Sequence, residues 1–264
     1  QLGVVKKILS AISGKDVKAE PREVHSLLSR IKNAGIDSSV VDSDEAAAMA
    51  DHIRRKYDTA LKAANAVDFD DLLVLTLRLF DEHPDVLEEC RARYRYVMVD
   101  EYQDTNAAQF AIVRALAGEH RNLCVVGDDD QSIYGWRGAE ISNLLDLEKY
   151  FPEVKVVKLE QNYRSTGNIL EAANAVIRNN PRRRVKQLWS AQGKGELIRL
   201  QSFANEEEEA RAIVDEIQFN RMSRRVRWKD QAILFRTNIQ SRPLETALRE
   251  AGVSYHLIGG QSFF

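Results

Sequence analysis

Two stretches decide the fold: Tyr96-Val97-Met98-Val99-Asp100-Glu101 and Leu123-Cys124-Val125-Val126-Gly127-Asp128-Asp129-Asp130-Gln131. Each is a short apolar run, rich in valine, that stops abruptly at acids. Runs of this length suit buried strands. Between them, residues 107–117 carry helical periodicity, so the pair reads strand, helix, strand. Two strands joined by a helical crossover lie parallel. A third strand is expected at 154–159. Ligands of such sheets sit beyond the carboxyl ends of the strands, and both acidic clusters fall there.

Outward from this centre, residues 1–66 read as helices. Val4, Val5, Ile8 and Ile12 recur at helical spacing, as do Val24, Leu27, Leu28 and Ile31. Residues 44–65 make a longer helix with an alanine-rich face, and 69–80 another. A helix is expected at 139–147. Beyond 159 the alternation resumes: helix 167–179 behind the N-cap candidates Ser165 and Thr166, strand 196–202, helix 206–219, strand 232–235 and helix 240–250. The arginine-rich stretch 180–195 reads as a loop.

Composition narrows the class. The chain has 264 residues, 44% hydrophobic and 30% charged, with a formal net charge of -2. That suits one large domain or two modest ones, and excludes a disordered chain. No apolar run is long enough to span a membrane, and no signal peptide opens the chain. Two cysteines, Cys90 and Cys124, are too few for a disulfide framework, so a reducing, intracellular setting is expected. The net charge hides a pattern: residues 67–158 are acidic, and 159–264 are basic. The first residue is Gln1, and the last, Phe264, follows soon after Gly259-Gly260. Both ends are expected to be cuts in a longer protein.

Four motifs carry chemistry. In Val97-Met98-Val99-Asp100-Glu101, the aspartate suits magnesium or its waters, and the glutamate suits proton removal from an attacking water. A strand ending in solvated acids is the plain alternative. In the second motif, Gln131 could sense a terminal phosphate or orient water, although Gly-Asp-Asp also favours a simple turn. Tyr134-Gly135-Trp136-Arg137-Gly138 offers two aromatics and a cation to single-stranded bases and phosphates; a buried aromatic pair is the alternative. In Gln161-Asn162-Tyr163-Arg164-Ser165-Thr166, Arg164 stands just before a helix start and could stabilise a transferring phosphoryl group, or pair with Glu160. Tyr163 could stack on a purine. The basic runs at 182–186 and 221–229 fit phosphate contacts or a solvated face equally. The five histidines lack metal-ligand spacing.

Taken in order, these segments resemble the UvrD/PcrA/Rep helicases of superfamily 1. The resemblance rests on Val99-Asp100-Glu101-Tyr102-Gln103-Asp104-Thr105-Asn106, on Val126 through Ala139, and on Gln161-Asn162-Tyr163-Arg164-Ser165-Thr166. Asp68-Phe69-Asp70-Asp71-Leu72-Leu73, Leu234-Phe235-Arg236-Thr237-Asn238 and Leu257-Ile258-Gly259-Gly260-Gln261-Ser262-Phe263-Phe264 also match. It implies an α/β, RecA-like P-loop NTPase core with an inserted all-helical subdomain. Residues 1–67 would be that subdomain, 68–158 the C-terminal part of the first motor domain, and 159–264 the N-terminal part of the second. The implied activity is ATP-driven movement on single-stranded DNA and unwinding of duplex, 3′ to 5′, in repair or replication in the bacterial cytoplasm. ATP and Mg2+ would be the cofactors. Single-stranded DNA, duplex junctions and repair or replication proteins would be the partners, with no membrane.

By position, the resemblance assigns Asp100 to magnesium and Glu101 to the attacking water. Gln131 would link the terminal phosphate to the DNA site, Tyr163 would stack on adenine, and Arg164 would reach the terminal phosphate. Tyr134, Trp136 and Arg137 would line the strand path, and Asn238 would be a further DNA contact. Two elements of the family are missing: no G-x-x-x-x-G-K-[ST] loop occurs, since neither Ser13-Gly14-Lys15-Asp16 nor Gln192-Gly193-Lys194-Gly195 satisfies it, and the family's late motifs, including a second arginine, are absent too. Without that phosphate cradle, the chain alone is expected to be inactive as an ATPase. Two other classes stay in view, a single-strand binding module and an interaction domain. The retained Asp100, Glu101 and Arg164 favour the motor.

Overall fold

The computed structural model describes residues 1–12, 20–34 and 44–258. Ser13-Gly14-Lys15-Asp16 and the closing stretch 259–264 lie outside the described residues. Gln1–Lys194 form one compact unit and Gly195–Phe264 a second.

The first unit opens with the three expected helices, α1 (Leu2–Ile12), α2 (Pro21–Ala34) and α3 (Asp44–Ala63). Their apolar stripes meet in one core of Val5, Ile8, Leu9, Leu28, Ile53, Tyr57 and Leu61. Helix α4 (Phe69–Glu82) follows, and its start is fixed by a reciprocal cap. The Asp68 carboxylate accepts from the Asp71 amide at 2.8 Å, and Asp71 accepts from the Asp68 amide at 3.1 Å. The Lys32 ammonium, on α2, donates to Asp68 at 2.9 Å and Asp71 at 2.8 Å, and lies 3.5 Å from Asp58 on α3. One buried cation thus ties three helices together. Burial alone would raise the Asp68 carboxyl, but the Lys32 ammonium and the Asp71 amide outweigh it and hold it below its usual range. Burial likewise works against the Lys32 charge, and its two carboxylate partners keep it protonated well past the usual lysine range.

The centre follows the expected order. Strand β1 (Val97–Val99) pairs in parallel with β2 (Leu123–Val125), Val97 opposite Leu123 and Val99 opposite Val125. The crossover contains α6 (Ala107–Ala117), capped by Asn106 and Gln109. Before β1 runs α5 (Pro84–Arg93), a helix the hydrophobic pattern did not announce, because none of its residues is buried. Val99, Leu123 and Val125 pack on a core of Tyr102, Phe110, Val113, Leu147 and Phe151. After β2 come the single turn α7 (Ser142–Leu145) and α8 (Gly167–Ile177). In the second unit, α9 (Glu206–Ser223) and α10 (Ser241–Glu250) bury Ala210, Val214, Leu244, Ala247, Leu248 and Val253. Four glutamates fill the first turn of α9, where the helix dipole favours them.

Three expected strands do not form. Residues 154–159, 196–202 and 232–235 pair with no neighbour, and the described residues contain only β1 and β2. Leu159, Leu200 and Leu234 face solvent, while Val154, Ile233 and Phe235 are partly buried against the neighbouring cores. An alternating or apolar pattern favours extended backbone, but a strand exists only where another strand supplies its hydrogen bonds. The helix expected at 139–147 is likewise reduced to α7 and one 3₁₀ turn.

Replacing Lys32 by Met leaves two buried carboxylates uncompensated, so Lys32→Met should cost about 3 kcal/mol in urea unfolding. Because the Asp68 carboxyl sits lower in the folded than in the unfolded chain, its contribution is complete above about pH 4. Stability should therefore fall as acid carries the pH below that value through the folded pKa, and urea midpoints across that range check it.

Candidate functional site

The parallel register brings the carboxyl ends of β1 and β2 level, and the two acidic motifs leave the sheet side by side. The ladder continues one step further: the Val126 amide donates to Val99 at 2.8 Å, and the Tyr102 amide to Val126 at 3.0 Å. The chain then turns sharply at Glu101, whose backbone lies in the left-handed region at φ 49°. A non-glycine residue held there is strained, and such strain gathers at functional sites. The turn throws both carboxylates outward. Asp100 accepts from the Glu101 amide at 2.9 Å, and both side chains remain solvent-exposed.

Behind them sits Gln103, 1% exposed. Its side-chain amide donates to Glu101 Oε2 at 2.8 Å, and its carbonyl oxygen accepts from the Asp128 backbone amide at 3.0 Å. Asp128 in turn accepts from the Gln131 side chain at 2.7 Å. A continuous relay therefore runs Glu101–Gln103–Asp128–Gln131, from the first motif to the second. Gly127 makes it possible, because a Cβ there would lie 2.9 Å from Gln103 Oε1 and 3.3 Å from two backbone amides. Sequence reasoning passed over Gln103. Its only local signal was a polar side chain inside an otherwise recognised motif.

The donor set fits a hard cation. Asp100, Glu101 and Asp104 offer oxygen ligands only, and Asp104 keeps one buried carboxylate oxygen without a hydrogen-bond partner. Burial and then the nearby Glu101 charge push the Asp104 carboxyl above its usual range. Magnesium sites commonly use one or two carboxylates with phosphates and water. Among the described residues no group of three or more His, Cys, Asp or Glu side chains could by itself hold a metal ion.

The aromatic motif is on the surface. Trp136 is 64% exposed, and Tyr134 is also open to solvent, so the pair is not buried core. Their ring centroids lie 6.5 Å apart, and the Arg137 guanidinium sits 4.5 Å from the Trp136 ring and 5.3 Å from that of Tyr134. A 3₁₀ turn, Gly135–Arg137, sets this spacing, and Gly138 closes it at φ 88°. The result is an exposed cation flanked by two π-faces.

The fourth motif is shaped by Asn162, whose side chain accepts from the Arg164 and Ser165 amides at 2.9 and 2.8 Å. Tyr163 stands 75% exposed, its hydroxyl donating to Gln161 at 2.9 Å. Arg164 is exposed and makes no ion pair among the described residues; Glu160 instead accepts from the Gln187 amide at 2.9 Å. No hydrogen bond joins Arg164 or Tyr163 to the acid pair. Asn238 lies in the second unit, exposed in the turn Asn238–Gln240.

Within the basic stretch 182–186, Arg182 is exposed, but Arg183, Arg184 and Lys186 are all paired with carboxylates. Arg183 grips Asp130 with two bonds of 2.7 and 2.6 Å. Arg184 grips Glu148 at 2.7 and 2.6 Å. Lys186 lies 3.0 Å from both Asp128 and Asp130 and also binds Asp129. The Arg183 guanidinium, with Lys186, holds the Asp130 carboxyl below its usual range. In the run 221–229, Arg224 pairs with Glu196 and Arg227 with Asp230.

Residues 1–152 match the UvrD/REP helicase N-terminal domain, and residues 157–264 match the UvrD-like helicase C-terminal domain. An ATP-dependent DNA helicase PcrA of Staphylococcus aureus is 43% identical over 267 aligned residues, which cover all of this chain and 36% of that protein. A PcrA of Staphylococcus epidermidis is 42% identical over the same span. The chain thus spans about a third of the length of these relatives. Two successive domain matches, the first of which covers the Glu101–Gln131 relay and the Trp136 platform, place this chain in the UvrD/REP helicase family.

Proposed function

We propose that this chain is the central part of an ATP-dependent DNA helicase, a motor that couples ATP hydrolysis to 3′–5′ movement on single-stranded DNA. The observation that carries this is the relay from Glu101 through Gln103 and Asp128 to Gln131. It makes one unit of a water-activating carboxylate and a phosphate-sensing amide. The exposed platform of Tyr134, Trp136 and Arg137 follows in the same segment, so a shift at Gln131 is next to a strand-binding surface.

The roles follow from placement. Asp100 would hold a magnesium ion through oxygen, and Glu101, oriented by Gln103, would take the proton of the attacking water. Bound Mg2+ and ATP would supply charge neutralisation and the transferable phosphoryl group. Tyr163, exposed, would stack on the adenine, and Arg164, unpaired among the described residues, would meet the terminal phosphate. Tyr134 and Trp136 would stack on bases, Arg137 and Asn238 would meet the DNA backbone, and a tracking protein needs no sequence-specific contact. We assign 1–67 to an inserted helical subdomain, 68–158 to the first motor domain and 159–264 to the second, both RecA-like. The family matches break between 152 and 157, beside the second boundary, whereas the compact units divide after Lys194, so 159–194 packs with the first unit. Work on repair or replication DNA in the bacterial cytoplasm, at junctions and beside other DNA enzymes, completes the proposal.

The 264-residue chain has no phosphate-binding loop, and we expect no useful ATPase turnover from it alone. Extended to the length of its relatives, it should hydrolyse ATP when single-stranded DNA is added, and Glu101→Gln should abolish this. DNA-stimulated turnover by the 264 residues, or none by the extended protein, overturns the corresponding claim. Single-stranded oligonucleotide should bind the chain more weakly as salt rises. Trp136→Ala should weaken that binding by about 1–3 kcal/mol in fluorescence titration, and an unchanged affinity removes Trp136 from the platform.

A further inference from the structure

We propose that Lys186 is a positioning residue for Gln131, acting through the Asp128 carboxylate. This rests on the proposed motor function for its mechanistic meaning, but not for its geometry.

Three adjacent carboxylates, Asp128, Asp129 and Asp130, crowd the turn that carries Gln131. Unneutralised, they repel one another. Among the described residues the Lys186 ammonium is the one cation that pairs with all three, and its side chain is 16% exposed. Arg183 satisfies Asp130 alone, so among the described residues Lys186 is the only cation paired with Asp128. Both oxygens of Asp128 are committed. Oδ1 faces Lys186 at 3.0 Å and accepts from the Asp130 amide at 3.1 Å, while Oδ2 holds the Gln131 side chain at 2.7 Å. The ammonium therefore fixes the rotation of the carboxylate that holds Gln131. Without it, repulsion from Asp129 and Asp130 swings Asp128 away, and Gln131 loses its acceptor.

The ammonium is also delivered by a braced segment. Arg184 pins the stretch to Glu148, the Gln187 amide donates to Glu160 at 2.9 Å, and Lys158 donates to the Val185 carbonyl at 2.6 Å. The Asn174 side chain, on α8, brackets Leu188 with bonds of 2.8 and 3.2 Å. Helix α8 begins three residues after Arg164. Lys186 thus joins the segment that presents Arg164 to the turn that presents Gln131, and charge at Asp128 is the joint.

The test is made on the 264-residue chain by NMR, without nucleotide. In Lys186→Met the Gln131 side-chain amide should move to the position of a freely rotating glutamine. The Asp128 backbone amide should exchange about tenfold faster. Amides of the helical core around Val5 and Tyr57 should not change, and Lys186→Arg should restore the Gln131 signal. A folded Lys186→Met chain with an unmoved Gln131 signal overturns the proposal. If Lys186→Met does not fold, Lys186→Gln removes the charge while keeping N–H donors on a slightly shorter side chain, and an unmoved Gln131 there overturns it equally. In the extended protein, Lys186→Met should lower kcat for DNA-stimulated ATP hydrolysis about tenfold and leave KM for ATP within about twofold. An extended wild-type protein that hydrolyses no ATP defeats the motor function and leaves the NMR result standing.

Discussion

Two parallel strands that end level with each other constrain everything else in the first unit. Because Val97 faces Leu123 and Val99 faces Val125, the chain leaves both strands at the same height. Asp100-Glu101 and Asp128-Asp129-Asp130 then emerge within hydrogen-bonding reach of one buried side chain, Gln103. A slip of one residue would turn Val99 from the core to the other face and break the relay. The left-handed turn at Glu101 and the missing Cβ of Gly127 are local consequences of that close approach.

Charge is the second constraint. Five carboxylates in two neighbouring turns would disperse the site if water were their only partner. The protein balances them unequally. Asp128, Asp129 and Asp130 receive Arg183 and Lys186 from a distant stretch of chain, in partly buried pairs. Asp100 and Glu101 receive no cation among the described residues and stay exposed. The three acids of the second turn are neutralised, and the two of the first are not. Lys32 plays the same structural part for Asp68 and Asp71, where it ties helices instead of loops.

The aromatic platform obeys different rules. Trp136 would ordinarily seek the core, yet the 3₁₀ turn between Gly135 and Gly138 holds it outside beside Tyr134 and Arg137. The cost of exposing apolar rings is offset in part by cation–π contact with Arg137. Exposed rings held in this way suit a partner with flat faces.

The sequence by itself determined what local pattern can determine. Apolar runs ending in acids marked β1 and β2, helical spacing marked α1, α2, α3 and α6, and glycines around Trp136 marked an exposed loop, because each follows from residues within a turn or two of one another. It could not determine pairing. Residues 154–159, 196–202 and 232–235 have strand-like composition and no strand, since a ladder depends on a neighbour the pattern does not contain. The candidate residues were legible as motifs, but the tertiary structure decided how they connect. Gln103 is hidden inside its motif, and Lys186 lies 57 residues from the aspartate it binds. In sequence, the run Arg182 to Lys186 looks like a basic patch facing solvent or phosphate. Only folding brings it against three carboxylates, because electrostatic partners are chosen by distance in space and not by distance along the chain.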